Sequence, residues 1–366
     1  MKTKFTLVAL AVSAGLAMPG LASAVEVAGK ALDIYGKAHI SLDSPSIKVD
    51  NGSGGYDTKS DATLSSNSSR LGFKGEAPIG SMTGFYKIEA SITFDNGDGT
   101  SFSHRAAYAG LKDSFGSILL GYRDTALKDV RGIYDVFGDT VGDARDIFGS
   151  VDSSNLLDVR AKNAIMYTTP KMGGFEANLM YSTSWQGNTT GTGGADNNNN
   201  SLTSVNLKYK ADKLVLAAAY QSQDYVDATT GDKIDTLSGT RLVGTYDFGA
   251  FRLGLMWENI DDDTLAALRR DAYGVNFVFK TGAKGAVKLE YNIADNTDAG
   301  NDTGATETAV GYSYKLDKHS STYVMYSVIS NDNNAQYIIG NGHDQKYTSA
   351  VGQDVSAISV GYEISF

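Results

Sequence analysis

The chain has 366 residues, no cysteine and a formal charge of −10, from 42 acidic and 32 basic residues. This excludes a disulfide framework and thiol chemistry, and argues against nucleic acid as a partner, because phosphate binding needs a basic surface. No segment beyond residue 24 approaches the run of about 20 apolar residues that a spanning helix requires, whereas strands of a membrane barrel alternate and so escape a mean hydropathy of −0.22.

Lys2 and Lys4 open the chain, followed by the apolar run "FTLVALAVSAGLAM" (Phe5 to Met18), then Pro19, Gly20 and the small residues Ala22-Ser23-Ala24. This order predicts a secretory signal peptide over 1–24, cleaved after Ala24. The run is too short for an anchor. The mature chain, 25–366, is then one domain with 30 basic and 42 acidic residues, a formal charge of −12. The full sequence has 41 Gly and 21 Tyr against only 4 Pro, which suits a chain made mostly of strands.

From Ala31 onward apolar and polar residues alternate with the period of a strand. In "SSRLGFKGE" Leu71 and Phe73 share one face, and Arg70, Gly72 and Lys74 the other. In "FYKIEASITF" Tyr86, Ile88, Ala90, Ile92 and Phe94 oppose Lys87, Glu89, Ser91 and Thr93. Sixteen such segments are predicted: 31–42, 62–75, 82–95, 101–112, 116–124, 160–168, 174–185, 201–209, 214–225, 239–246, 251–259, 270–280, 286–294, 306–315, 320–331 and 355–366. Segments of about ten residues match a tilted spanning strand, and an even number returns the last strand beside the first. Tight turns (113–116, 170–174, 211–213, 247–250, 316–320) alternate with long polar loops (44–61, 186–200, 332–354). The reading is all-β: a transmembrane antiparallel barrel with short periplasmic turns and long extracellular loops. Tyr122, Tyr167, Tyr181, Tyr220, Tyr312, Tyr314 and Tyr362 fall near strand ends, where rings favour the headgroup zone.

If apolar faces look at lipid, polar faces look inward. Lys37, Arg70, Lys74, Arg105, Arg160 and Lys162 take the inward parity, with Ala106, Tyr108, Ile165 and Tyr167 opposed to them. These bases come from the first six strands and so cluster on one side of a lumen, where charge is solvated. The segment from Thr125 to Val159 is far longer than an ordinary connector. It carries Asp129, Asp135, Asp139, Asp143 and Asp146, and also Arg131 and Arg145, which could neutralise part of that charge. Folded outside, it is a solvated loop. Folded inside, its carboxylates would face the bases across a narrow gap and set up a transverse field that orients polar solutes.

In "LDIYGKAH", "SSRLGFKGE", "HRAAYAGLKDSFGSILLGYRD", "VRAKNAIMYTTPKMGGFEANLMYS" and "VGYEISF" the chain resembles the general, non-specific trimeric porins of Gram-negative outer membranes. The resemblance spans the mature chain. It implies a third loop folded into the lumen, with Lys37, Arg70, Arg105 and Arg160 as the basic wall of the constriction. "IYDVFGDT" resembles the acidic loop segment but lacks its usual proline and glutamate. Asp135 and Asp139 are the first candidates there, with Asp143 and Asp146 behind them. The resemblance also implies passive diffusion of ions and small hydrophilic solutes, a homotrimer, a surround of outer-membrane lipid and lipopolysaccharide, and recognition of Phe366 by the barrel-assembly machinery. No cofactor is expected.

Other chemistry is weaker. His39, His104, His319 and His343 lack metal spacing. "DNGDG" (95–99) and "DDD" (261–263) could hold Ca²⁺ loosely, but neither is an EF-hand loop. A lipid-acting barrel hydrolase would have only His104 as its base, with no nucleophile signature. A saccharide-preferring porin would need an aromatic track; Tyr35 and Phe85 have inward parity but form no contiguous slide. A secreted β-sandwich adhesin is a third rival. The acidic total favours cations while the arginine wall could hold anions, so ion preference is left open.

Overall fold

The computed structural model describes residues 25–26, 30–95, 102–187, 200–227 and 230–366. The predicted leader, residues 1–24, lies outside them, as do 96–99 of the first acidic run and 197–199 of the asparagine tract. Sixteen barrel strands follow one another: β1 (Asp33–Asp50), β2 (Arg70–Ile79), β3 (Met82–Ile92), β4 (Phe102–Asp113), β5 (Gly116–Asp124), β6 (Arg160–Thr168), β7 (Phe175–Ser182), β8 (Leu202–Lys210), β9 (Leu214–Val226), β10 (Lys233–Asp247), β11 (Phe251–Asp262), β12 (Arg270–Lys280), β13 (Gly285–Ala294), β14 (Ala305–Lys315), β15 (Ser320–Asn331) and β16 (Val355–Ser365). Each pairs antiparallel with the next, and β16 returns to β1, from Lys37 opposite Ser365 to Ser46 opposite Ser356. Closure removes the unpaired edge that an open sheet would expose to lipid. The last residue adds a rung: the N–H and C=O of Phe366 bond the C=O and N–H of Gly36, both at 3.0 Å.

The outward faces are apolar. Leu42, Ile88, Leu120, Ile165, Leu179, Leu207, Leu242, Leu255, Leu289, Val324 and Ile358 are all exposed, as are Tyr181, Tyr220, Tyr312, Tyr314 and Tyr362. Such a continuous belt is intolerable in water and natural in a bilayer. The inner face has its own core: the long loop brings Leu127, Val130, Tyr134, Val136, Phe137, Ile147, Phe148 and Leu157 against Ala217, Ala219, Val243, Met256, Ala272, Ala309 and Met325 of the wall.

Four local features depart from simple alternation. β1 runs on to Asp50 and pairs with Tyr56–Lys59, so the 44–61 loop is in part a projecting hairpin. β2 is preceded by Thr63–Ser66, which also pairs with β1; between them Ser68 takes φ 52°, breaking the second predicted strand. On β4, Ala106 faces Glu89 while His104 faces Ala90, which leaves Arg105 as a bulge. On β6 the register shifts between Ala161 and Ala164, with Asn163 at φ 49°. An inserted residue reverses the parity beyond it. Tyr108 therefore shares the inward face with Lys87, contrary to the parity expectation. Lys162 is exposed and donates to the Gln186 carbonyl at 2.8 Å instead of pointing inward.

Candidate functional site

The loop between β5 and β6 begins with a helix, α1 (Ala126–Tyr134), that periodicity alone did not suggest. Thr125 caps it, its hydroxyl accepting from the Lys128 N–H. Ala126, Leu127, Val130 and Tyr134 are buried. The Tyr134 hydroxyl donates to Asn292 Oδ1 at 2.6 Å, and only a glycine fits beneath it: a Cβ on Gly274 would stand 2.4 Å from that oxygen.

The back of the loop is bolted to β10–β13. Fully buried Arg241 bonds Asp158 at 2.9 Å and Glu258 at 2.9 Å. Glu258 also accepts the Gly149 N–H at 2.6 Å, and Arg270 donates to the carbonyls of Ile147 and Ser150. Glu290 accepts the Val136 N–H at 3.1 Å. Removing either member of a buried pair strands the other charge, so this side is hard to release. The 332–354 segment braces the loop from another side: the N–H groups of Gly340 and Asn341 donate to Asp146 at 3.0 and 2.7 Å.

The predicted loop acids therefore separate. Asp135, Asp143 and Asp146 do not face the gap. Asp135 is bound to Arg131, Asp143 to Arg131 at 3.1 Å and Arg145 at 2.7 Å, and Asp146 to backbone N–H groups; Asp143 and Asp146 are fully buried. The reasons are local: Arg131 and Arg145 draw Asp135 and Asp143 into the loop's own interior, and the N–H groups of Gly340 and Asn341 hold Asp146. Burial, reinforced by the neighbouring Asp143 charge, holds the Asp135 and Asp146 carboxyls above the usual range. Only Asp139 reaches across, to Lys37 Nζ at 3.0 Å, while also taking Arg145 at 2.9 Å. Burial pushes its carboxyl up, but Lys37, Arg145 and Arg70 outweigh it and hold it below the usual range.

On the opposite wall, Lys37 on β1 and Arg70 on β2 face each other directly, and Arg105 stands on β4, one strand further on beyond β3. Arg105 bonds Glu89 at 3.1 Å. Glu89 also accepts from Tyr35 at 2.7 Å and pairs with Lys87 at 3.1 Å. Its inward parity was legible, but its place inside the basic cluster was not. Arg160 is set apart, sharing Asp124 with Lys128, each at 2.9 Å. Arg123, not anticipated, bridges to Asp129 at 2.6 Å. Arg70 makes no ion pair among the described residues. No group of metal-ligating side chains occurs among the described residues.

Known proteins match this architecture. A family model described as "Gram-negative porin" covers residues 7–334. A monosaccharide porin of Halomonas sp is 30% identical, over 71% of each chain. Outer membrane porin N of Escherichia coli is 27% identical over 93% of this chain and 96% of its own. In fold, the anion-selective porin from Comamonas acidovorans aligns with a TM-score of 0.75 at 19% identity, over 92% of this chain and 99% of that one. The trimer form of OmpT, an outer membrane protein of Vibrio cholerae, gives 0.65 at 19%, with the same coverage. A closed barrel, greasy outside, polar inside and narrowed by an inward loop, is an outer-membrane channel for hydrophilic solutes, and the chain belongs to the Gram-negative porin family.

Proposed function

We propose that ions and small hydrophilic solutes diffuse passively through the gap bounded by Asp139 on the loop and Lys37, Arg70 and Arg105 on the wall. Arg160 and the other loop acids act more remotely, by fixing the loop's entry and shape. The supporting observation is the loop's one-sided seat. Its back is buried through Arg241, Glu258 and Arg270, whereas its front meets the wall through ion pairs such as Lys37–Asp139 and Arg123–Asp129. Field and width there set the preference for size and charge.

Anion preference is the finer reading. Arg70, Lys74 and Lys208 carry no ion pair among the described residues, while Asp139 and Glu89 are each neutralised by cations. The likeness to an anion-selective porin agrees with this. No catalytic role is assigned: His104 faces outward on β4 opposite Ala90, and no nucleophile is bonded to it among the described residues. A homotrimer in outer-membrane lipid and lipopolysaccharide, with Phe366 as the assembly signal, completes the proposal.

Reconstitution into a planar bilayer under a salt gradient tests it. Conductance steps in threes and a reversal potential of anion-selective sign are expected. A silent bilayer overturns the channel; a cation-selective sign overturns the ion preference alone.

A further inference from the structure

On the turn side of the gap the lumen wall carries an aromatic and basic cluster joined to the constriction through Glu89, which takes Tyr35 and Lys87 as well as Arg105. Tyr35 on β1, Phe85 on β3 and Tyr108 on β4 all turn inward. Tyr35 and Phe85 lie across a neighbouring strand's glycine. A Cβ on Gly72 would come within 2.2 Å of the Tyr35 ring, and one on Gly110 within 2.7 Å of the Phe85 ring. Each glycine lets a ring lie against the wall and offer its face to the lumen. Phe85 and Tyr108 meet edge to face at 6.5 Å.

Cations surround these rings. The Nζ atoms of Lys74 and Lys87 stand 5.4 and 5.6 Å from the Tyr35 centroid. The two lysines are direct cross-strand partners, a placement that repels. Lys87 has Glu89 at 3.1 Å, but Lys74 has no ion pair among the described residues. A cavity of about 490 Å³ opens beside them, lined by the three lysines Lys30, Lys74 and Lys87, the carboxylates Asp33 and Glu76, and the rings of Phe85 and Tyr108. Glu76 is already taken by Lys112.

We propose that this cluster is a subsite for small solutes that carry a carboxylate on a six-membered ring, a sugar acid or an aromatic acid. The proposal rests on the channel reading above. A carboxylate between Lys74 and Lys87 relieves their repulsion, and the ring it carries stacks on Tyr35 or Phe85. A neutral sugar has the ring without the charge; a short acid has the charge without the ring.

The test uses the full protein in a planar bilayer, with glucuronate, benzoate, glucose or acetate added on the turn side and binding read from interruptions of the current. Glucuronate, benzoate or both should bind about threefold or more tightly than glucose and acetate. Whichever of the two acids prevails identifies the source of the ring. Lys74→Gln should reduce that binding to the glucose level and Tyr35→Leu to the acetate level, while Tyr35→Phe restores it. Lys284→Gln, on a distant turn, should leave it intact. Equal binding of all four probes, or no effect of Lys74→Gln, overturns the subsite although the channel still conducts. Absence of conductance in plain salt overturns the channel reading and the subsite with it.

Discussion

Asp139 is the residue on which the gap's charge balance turns. It occupies φ 61°, a left-handed conformation that aspartate tolerates better than most residues, and its carboxylate bridges Arg145 of the loop and Lys37 of the wall. Asp139→Asn removes the loop's carboxylate from the gap, leaving Lys37 with only the longer contact to Glu363 at 3.5 Å and Arg70 with no ion pair among the described residues. The permeability ratio should move toward anions by roughly twofold, read as a shift in reversal potential. Lys37→Gln should move it the other way; no shift in either variant removes the pair from the path. The pH dependence follows from the depressed carboxyl. A group whose folded value lies below its unfolded one stabilises fully above the unfolded value, 3.8 here, and is lost only as pH falls through the lower folded one. The difference in reversal potential between the Asp139→Asn variant and the unmodified protein should therefore stay constant from neutral pH down to about 4. A difference that faded between about pH 5 and 4 would show an ordinary carboxyl, and one that faded already between about pH 7 and 5 a raised one.

At the scale of elements, the strands were legible and the loop was not, for one physical reason. A strand facing lipid on one side and water on the other writes its period directly into the sequence, so Phe251–Asp262 or Val355–Ser365 can be read locally. The bulges at Arg105 and Asn163 carry no comparable signature, and each reversed the parity of residues beyond it, Tyr108 among them. The α1 signal was present in Thr125, Leu127, Val130 and Tyr134, but nine residues with three charges read as polar loop. Which acids would face the gap depended on pairs such as Arg131–Asp158 and Arg241–Glu258, brought together by folding alone. Those pairs also predict how firmly the loop is seated. Glu258→Gln keeps an acceptor for the Gly149 N–H but leaves fully buried Arg241 with one carboxylate. Breaking such a pair costs about 3–5 kcal/mol. The loop should detach part of the time, giving a larger and noisier unit conductance and faster proteolytic cleavage between 125 and 159 in the refolded protein. Unchanged conductance together with unchanged cleavage would mean that the apolar contacts of Leu127, Val130 and Phe148 hold the loop unaided.

The whole molecule inverts the usual arrangement of a folded protein, and its outer surface can be tested by the sign of a single substitution. Neighbours on β11 meet opposite environments: Leu255 is 55% exposed and points outward, whereas Met256 is 4% exposed and packs beneath the loop. In a water-soluble protein, arginine at an exposed position such as 255 would be close to neutral. In a barrel it places a charge near the middle of the hydrocarbon layer, at a cost of about 2–4 kcal/mol. Leu255→Arg should therefore lower the yield of folded barrel in lipid vesicles and shift its urea unfolding midpoint downward. Lys208→Arg, a change on the lumen side, should leave both unaltered. If Leu255→Arg proves as stable as the unmodified protein in vesicles, the outward belt is not in hydrocarbon. The alternation then loses its cause, because only lipid outside and water inside require the greasy residues of β11 to face away from its own core.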